Sequence, residues 1–204
     1  YKVEYHPDGL LKSFTPTVPE AKPTIQRRIV KQLPLPVTKP IVPYIEVVHD
    51  RGAVEIQRGC TRGCRFCQAG MIYRPVRERD PKQIVQDAEE ALRLTGFEEL
   101  SLLSLSSGDY CCIGPLLKTL MDRQSENKVA VSFPSLRIDS LNPQWLDQIK
   151  RVRKTGFTLA PEAGNDRLRE IINKGLTDAD ILRTAREVYG SGWKLIKLYF
   201  MVGL

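Results

Sequence analysis

The sequence predicts an α/β fold on a parallel sheet, preceded by an N-terminal arm. Three observations predict it. From residue 44 onward, apolar runs of strand length alternate with helical patterns, one pair every ~25–30 residues. Several of the runs are apolar on both faces, as strands are when helices cover a sheet on both sides. Before residue 44 stand Pro16, Pro19, Pro23, Pro34, Pro36, Pro40 and Pro43, which no long helix or interior strand would tolerate.

Taken in order, residues 2–5 and 10–14 alternate around His6-Pro7-Asp8-Gly9, a turn-forming set, and predict a hairpin. A short helix is expected over 24–32, and residues 1–43 are read as a hairpin and proline-rich arm ahead of a core at 44–204. Runs at 44–48 and 53–57 read as strands, and a cysteine-rich loop follows. Pro81 opens a helix to about residue 94, with Asp80 as cap, Ile84, Val85, Ala88, Ala91 and Leu92 on one face, and Gly96 as its stop. Strands are expected at 100–105, 129–133, 157–160 and 193–202. Helices are expected at 113–121, 143–154, 165–173 and 178–189. Periodicity leaves the choice between an open doubly wound sheet and a barrel.

The chain has 204 residues, enough for one domain or a domain plus an arm. Its first residue, Tyr1, and its final KLYFMVGL, a strand without an ending, predict a piece of a longer protein. Lys plus Arg (31) exceed Asp plus Glu (24) by 7, but the basic residues are spread out and read as solvated surface rather than a polyanion-binding stripe. No apolar run approaches the ~18 residues of a membrane span. Five cysteines, three of them crowded, do not suit a secreted disulfide framework, so a reducing cytoplasm is expected.

The crowded three, Cys60, Cys64 and Cys67 in EIQRGCTRGCRFCQAG, are one ligand short of a filled site. Structural zinc takes four protein ligands, and an electron-transfer [4Fe–4S] cluster takes four thiolates. Three thiolates at this spacing predict a cluster with one open iron. Gly59, Gly63 and Gly70 suit a loop that wraps tightly and turns N–H groups toward sulfur. Arg58, Arg62 and Arg65 are expected to offset thiolate charge. The competing reading is a non-enzymatic zinc or iron–sulfur module that binds nucleic acid, with a fourth ligand outside the triplet; for a zinc knuckle that ligand would be His49, Cys111, Cys112 or Asp109. A ferredoxin-like electron carrier is a third reading. Cys111 and Cys112 otherwise read as buried structural thiols. Polar or glycine-bearing segments at 106–109, 135–137 and 161–164 each follow a predicted strand. They should therefore meet the cysteine loop on the rim where sites form in such sheets.

C-x3-C-x2-C with Phe66 before the last cysteine resembles the signature of the radical S-adenosylmethionine (radical SAM) enzymes. The strings RGCTRGCRFCQAGMIYRPVRER, PSLRIDS and KLYFMVGL most resemble members carrying an upstream cobalamin-binding domain. The resemblance implies a partial (β/α)6 TIM-like barrel, here truncated to about five β/α units. It implies a [4Fe–4S] cluster on the three cysteines, with S-adenosylmethionine chelated to the open iron and cleaved reductively to a 5′-deoxyadenosyl radical that abstracts hydrogen from substrate. It implies an external one-electron reductant of flavodoxin or ferredoxin type, with RNA among the candidate substrates. Phe66 would flank the adenine. Ser107, Gly108 and Asp109 stand where the family meets the methionine amino group, and Ser135 and Arg137 where it contacts the cofactor from the fourth strand. PEAGNDRLREIINKG implies Glu162 at the ribose and Lys174 at the methionine carboxylate. Cobalamin would belong to a domain outside this chain. No residue need act as a general base.

Overall fold

The computed structural model describes residues 1–204 apart from Glu46, Ser135 and Thr155. It falls into two compact units, Tyr1–Gln32 and Leu33–Leu204. In the first, β1 (Lys2–Tyr5) pairs antiparallel with β2 (Leu11–Thr15). The turn closes through the His6 and Gly9 amides, which donate to Leu10 O and His6 O, and the Tyr1 and Phe14 rings stack at 4.4 Å. The helix expected at 24–32 does not form. Every residue there is exposed, so no apolar face is buried to offset the cost of nucleating a helix.

The second unit opens with an irregular segment. Among its described residues no strand forms at 44–48, where Tyr44 and Val48 are fully exposed. The sheet begins at β3 (Gly52–Glu55), and a short ribbon follows from β4 (Gln57–Arg58). Next come α1 (Gln68–Ile72), β5 (Arg77–Glu78) and α2 (Pro81–Thr95). Then β6 (Glu99–Leu103), α3 (Ile113–Gln124), β7 (Ala130–Ser132) and α4 (Pro143–Ile149) alternate. The chain continues through β8 (Phe157–Glu162), α5 (Asp166–Ile171), α6 (Asp178–Gly190) and β9 (Ile196–Phe200).

Strands β3, β6 and β7 form one parallel sheet in chain order, and β8 and β9 form a parallel pair. A parallel neighbour needs a crossover, and α2, α3 and α6 supply it between successive paired strands. Sequential order without reversal is what an arc of a barrel requires. Helix α2 shows why the chain obeys. Asp80 accepts from the Lys82 and Gln83 amides at 2.9 and 3.2 Å, a cap that contributes about 1 kcal/mol. Gly96 ends the helix in the left-handed region at φ 73°, its N–H donating to Leu92 O. Between these ends Ile84, Ala88 and Leu92 bury against Val54, Leu100 and Leu102. Leu116, Leu117 and Leu120 of α3 complete this core. A smaller cluster, Ile138, Leu159 and Leu176, packs beneath β8.

Helix α4 stops at Ile149, short of the expected residue 154. Lys150, Arg151, Arg153 and Lys154 would repel along a continued helix, whereas Arg151 and Arg153 reach Asp122 and Glu99 at 2.7 Å each.

Candidate metal and cofactor site

The cysteine loop runs from the end of β4 to α1. Gly59 allows it to leave the strand: φ is 93°, and a Cβ there would stand 2.6 Å from Tyr73 O and 2.8 Å from Pro75 O. Cys67 caps α1. The three cysteines are free and half-buried, and all three line one cavity of about 260 Å³. Among the described residues each sulfur accepts one N–H bond. The Arg62 amide donates to Cys60 at 3.5 Å, the Gly70 amide to Cys67 at 3.4 Å, and Arg137 Nη1 to Cys64 at 3.8 Å. Such donors stabilise thiolate sulfur and tune a metal bound to it.

Among the described residues no three His, Cys, Asp or Glu side chains stand close enough to share one metal ion. The zinc knuckle needs four ligands on one centre. A cubane instead offers a separate iron to each thiolate. The fourth ligands considered for zinc are elsewhere. Asp109 is committed to Arg62 and Ser106, and His49 sits by Arg51. Cys111, expected to be buried, is exposed; the Glu78 carboxylate and then Cys112, its Sγ 3.3 Å away, push its thiol up to about 12.

The cavity is also lined by Phe66, Arg137, Glu162 and Lys174. Glu162 ends β8 at φ 71°, in the left-handed region, where the ladder to β9 shifts register. A non-glycine residue held this way marks a backbone that its surroundings over-determine. Here the Met201 amide donates to Glu162 O, and Lys174 Nζ pairs with the carboxylate at 3.0 Å. The Lys174 ammonium also stands 5.9 Å from the centre of the Phe66 ring. Arg169, 1% exposed, holds this segment together: its guanidinium donates to Ala163 O and Leu176 O and pairs with Asp166 and Asp178. It thereby fixes the two ends of the turn that carry Glu162 and Lys174.

The remaining candidates are placed differently. Ser107 is fully buried, and its Oγ bonds Ser104 Oγ and Leu102 O, away from the cavity. Gly108 is where Ser140 crosses; a Cβ would lie 2.5 Å from Ser140 Cβ. Ser135 lies outside the described residues. Asp109 receives Arg62 in a two-pronged bond, and Arg62 also reaches Asp139 at 3.2 Å. Arg58 faces the Glu55 carboxylate and Arg65 donates to Ile171 O, away from sulfur. Arg62, though paired with Asp109, lines the cysteine cavity with Cys60 among the groups that favour its charged form, and Arg137 adds a donor to Cys64. Sequence reasoning missed Asn173, at φ 56°, which donates to Gly63 O at 2.9 Å and ties the loop to the end of α5. An Asn before Lys-Gly at a helix end was the available signal.

Burial alone would raise the Asp109 carboxyl. Hydrogen bonds from Arg62 and Ser106, with the charges of Arg62 and Arg137, hold it below the ordinary 3.8. A carboxyl held down in the folded state contributes fully above its ordinary value, and that contribution is lost as pH falls through the folded one. Hydrogen exchange at residues 60–67 is expected to lose protection, relative to the intrinsic rate, between about pH 5 and about pH 3. Arg62→Met should already be unprotected at the higher pH. Protection in the parent protein that stays constant across this range would remove Arg62–Asp109 as the clamp.

Residues 54–204 match the Radical SAM superfamily. An uncharacterized protein of Methanocaldococcus jannaschii is 40% identical over 152 residues, covering 74% of this chain and 32% of that protein. The threonylcarbamoyladenosine tRNA methylthiotransferase MtaB of Treponema pallidum is 25% identical over 150 residues, covering 68% of this chain and 30% of that protein. The chain thus spans about a third of the length of these relatives. The fold is similar to that of TsrM from Kitasatospora setae, a radical S-adenosylmethionine methyltransferase solved with cobalamin and a [4Fe–4S] cluster. The TM-score is 0.62 at 15% identity, over 75% of this chain and 31% of that one.

Proposed function

Because the chain belongs to the radical SAM superfamily, we propose that it is the cluster-bearing part of an enzyme that uses S-adenosylmethionine as its radical source, with Cys60, Cys64 and Cys67 as the cluster ligands. The observation that carries this is the shared cavity: three free thiols, each with one N–H donor among the described residues, line it together with Phe66, Arg137, Glu162 and Lys174. Their donor chemistry fits a cluster anchored by three thiolates. Bound there, cluster and S-adenosylmethionine would supply one-electron cleavage of a C–S bond and a carbon radical that takes hydrogen from substrate.

The chain's own groups then orient and neutralise. Lys174, buried and paired with Glu162, is a point charge placed for a carboxylate, and Glu162 is an acceptor placed for ribose hydroxyls. Phe66 offers a ring face to a flat base. Arg137 spans Cys64, Asp139 and Lys174 O, and so couples the sulfur ring to the cofactor wall. Asp109 acts through Arg62, holding the loop, rather than on the cofactor directly. Ser107 and Gly108 shape the same turn, and Ser135 is proposed as a cofactor contact from the resemblance alone. The core is assigned to 44–204 and the arm to 1–43. Cobalamin, bound by TsrM, is proposed for the whole protein and given no ligand here. An external one-electron reductant and a reducing cytoplasm complete the reading; no helix among the described residues is long and apolar enough to cross a membrane. Nucleic acid enters as a candidate substrate through the tRNA named for MtaB.

The test is metal content after anaerobic reconstitution of the full-length protein. About four irons per chain, with dithionite-dependent cleavage of S-adenosylmethionine, is the expected result. One zinc per chain without cleavage would replace the proposal with the zinc module.

A further inference from the structure

We propose that a second cavity beside the cysteine cavity seats the substrate, and that Gln57 recognises an N–H group on a flat, uncharged ring bound there. The proposal rests on the radical reading above. This cavity, about 500 Å³, lies at the carboxyl ends of β3 and β6 and includes Gln57, Gly59, Tyr73, Leu103, Ser104 and Leu105 in its lining. Leu105 also lines the cysteine cavity, so one side chain forms a common wall. Gly59, on the same lining, directly precedes Cys60. A ligand seated here therefore lies against the loop that carries the metal ligands.

Three features define the ligand. Gln57 is only 3% exposed, and its Oε1 accepts no hydrogen bond from the described residues. A buried acceptor without a donor is costly, and a ligand N–H would remove that cost. Tyr73, Leu103 and Leu105 are each exposed by roughly two fifths or more, leaving apolar and aromatic surface open at the cavity. Such walls favour a ring over an extended polar chain. The charges at the edge are already matched: Glu55 is engaged by Arg58 at 2.6 Å and by Arg79 at 3.2 Å. An ionic ligand would find no unpaired partner among these groups. A site built around one unmet acceptor discriminates strongly against a ligand lacking the donor, because the acceptor stays unpaired.

The test uses the full-length, reconstituted protein with saturating S-adenosylmethionine, so that the cysteine cavity is filled, and no reductant. Affinities are measured by ligand-observed NMR for two matched pairs: indole against 1-methylindole, and uracil against 1,3-dimethyluracil. In at least one pair the N–H form should bind about tenfold tighter. The indole pair reports a small aromatic metabolite as source, and the uracil pair a nucleobase. Gln57→Leu should erase the difference, and Tyr73→Ala should weaken both members. Equal affinity within both pairs, or a preference that survives Gln57→Leu, overturns the proposal. If Gln57→Leu lowers the melting temperature sharply, Tyr73→Ala decides, and unchanged affinity in that variant also overturns it. Adding dithionite to the same samples keeps the two readings apart. Formation of 5′-deoxyadenosine without ring preference removes only the second cavity; ring preference without 5′-deoxyadenosine removes only the radical reading.

Discussion

Cys64→Ala, in full-length protein reconstituted anaerobically with iron and sulfide, is expected to abolish 5′-deoxyadenosine production. Three thiolates are the minimum that anchors a cubane with one iron free, so the loss of one leaves no set able to hold it. Cys64 is also the sulfur met by Arg137, whose other contacts are Asp139 and Lys174 O. Its removal therefore loses the Arg137 contact between the loop and the cofactor wall as well as deleting a ligand, while the Asn173–Gly63 and Arg65–Ile172 ties remain. Iron content should fall with product, and the melting temperature of the metal-free protein should change little, because the residue is half-buried. Cys111→Ala is the matched control. That thiol is exposed, does not line the cysteine cavity, and is held protonated at neutral pH, so activity should be retained. Full production by the Cys64 variant would end the assignment of the loop as the cluster site.

Gly59→Ala is expected to be the most damaging single substitution in the loop backbone. Its φ of 93° disfavours any side chain, and the new methyl would collide with two main-chain oxygens, Tyr73 O and Pro75 O, which no rotamer change can move. Strain and overpacking together should cost about 3 kcal/mol. The damage should concentrate where β4 leaves for the cysteines, so the variant should bind iron poorly even below its melting temperature. Thermal denaturation of the metal-free protein, followed by iron analysis, separates the two effects. An unchanged melting temperature with full iron loading would show that the loop does not need this conformation.

The parts legible in sequence are those with local signatures. Helix α2 declares itself through Asp80, Pro81, a spaced apolar face and Gly96, and it forms over nearly the expected residues. The three cysteines and the PEAGNDRLREIINKG string are legible because short spacing carries the chemistry, and the cavity brings Phe66, Glu162 and Lys174 together with the thiols. What stayed hidden depends on partners distant in sequence. Arg62 meets Asp109 and Asp139 from 47 and 77 positions away, and neither pairing leaves any periodic trace. Ser107 carries a polar side chain in a promising segment, yet it turns to the backbone of β6 because Leu102 O is there to accept it. The expected helix at 24–32 had composition without a buried face, and the expected strand at 44–48 had apolar residues without a neighbouring strand. Burial, which sequence does not display, decided both.

Asn173 reaches back 110 positions to Gly63, and the Arg65 amide donates to Ile172 O. Both ties belong to the loop that carries the sulfurs. A nascent chain emerging from the ribosome exposes Cys60, Cys64 and Cys67 long before it delivers α5. Until then the thiols have neither their brace nor the rest of their cavity. On the proposed assignment of the cysteines, the loop is therefore completed only after translation has passed Lys174.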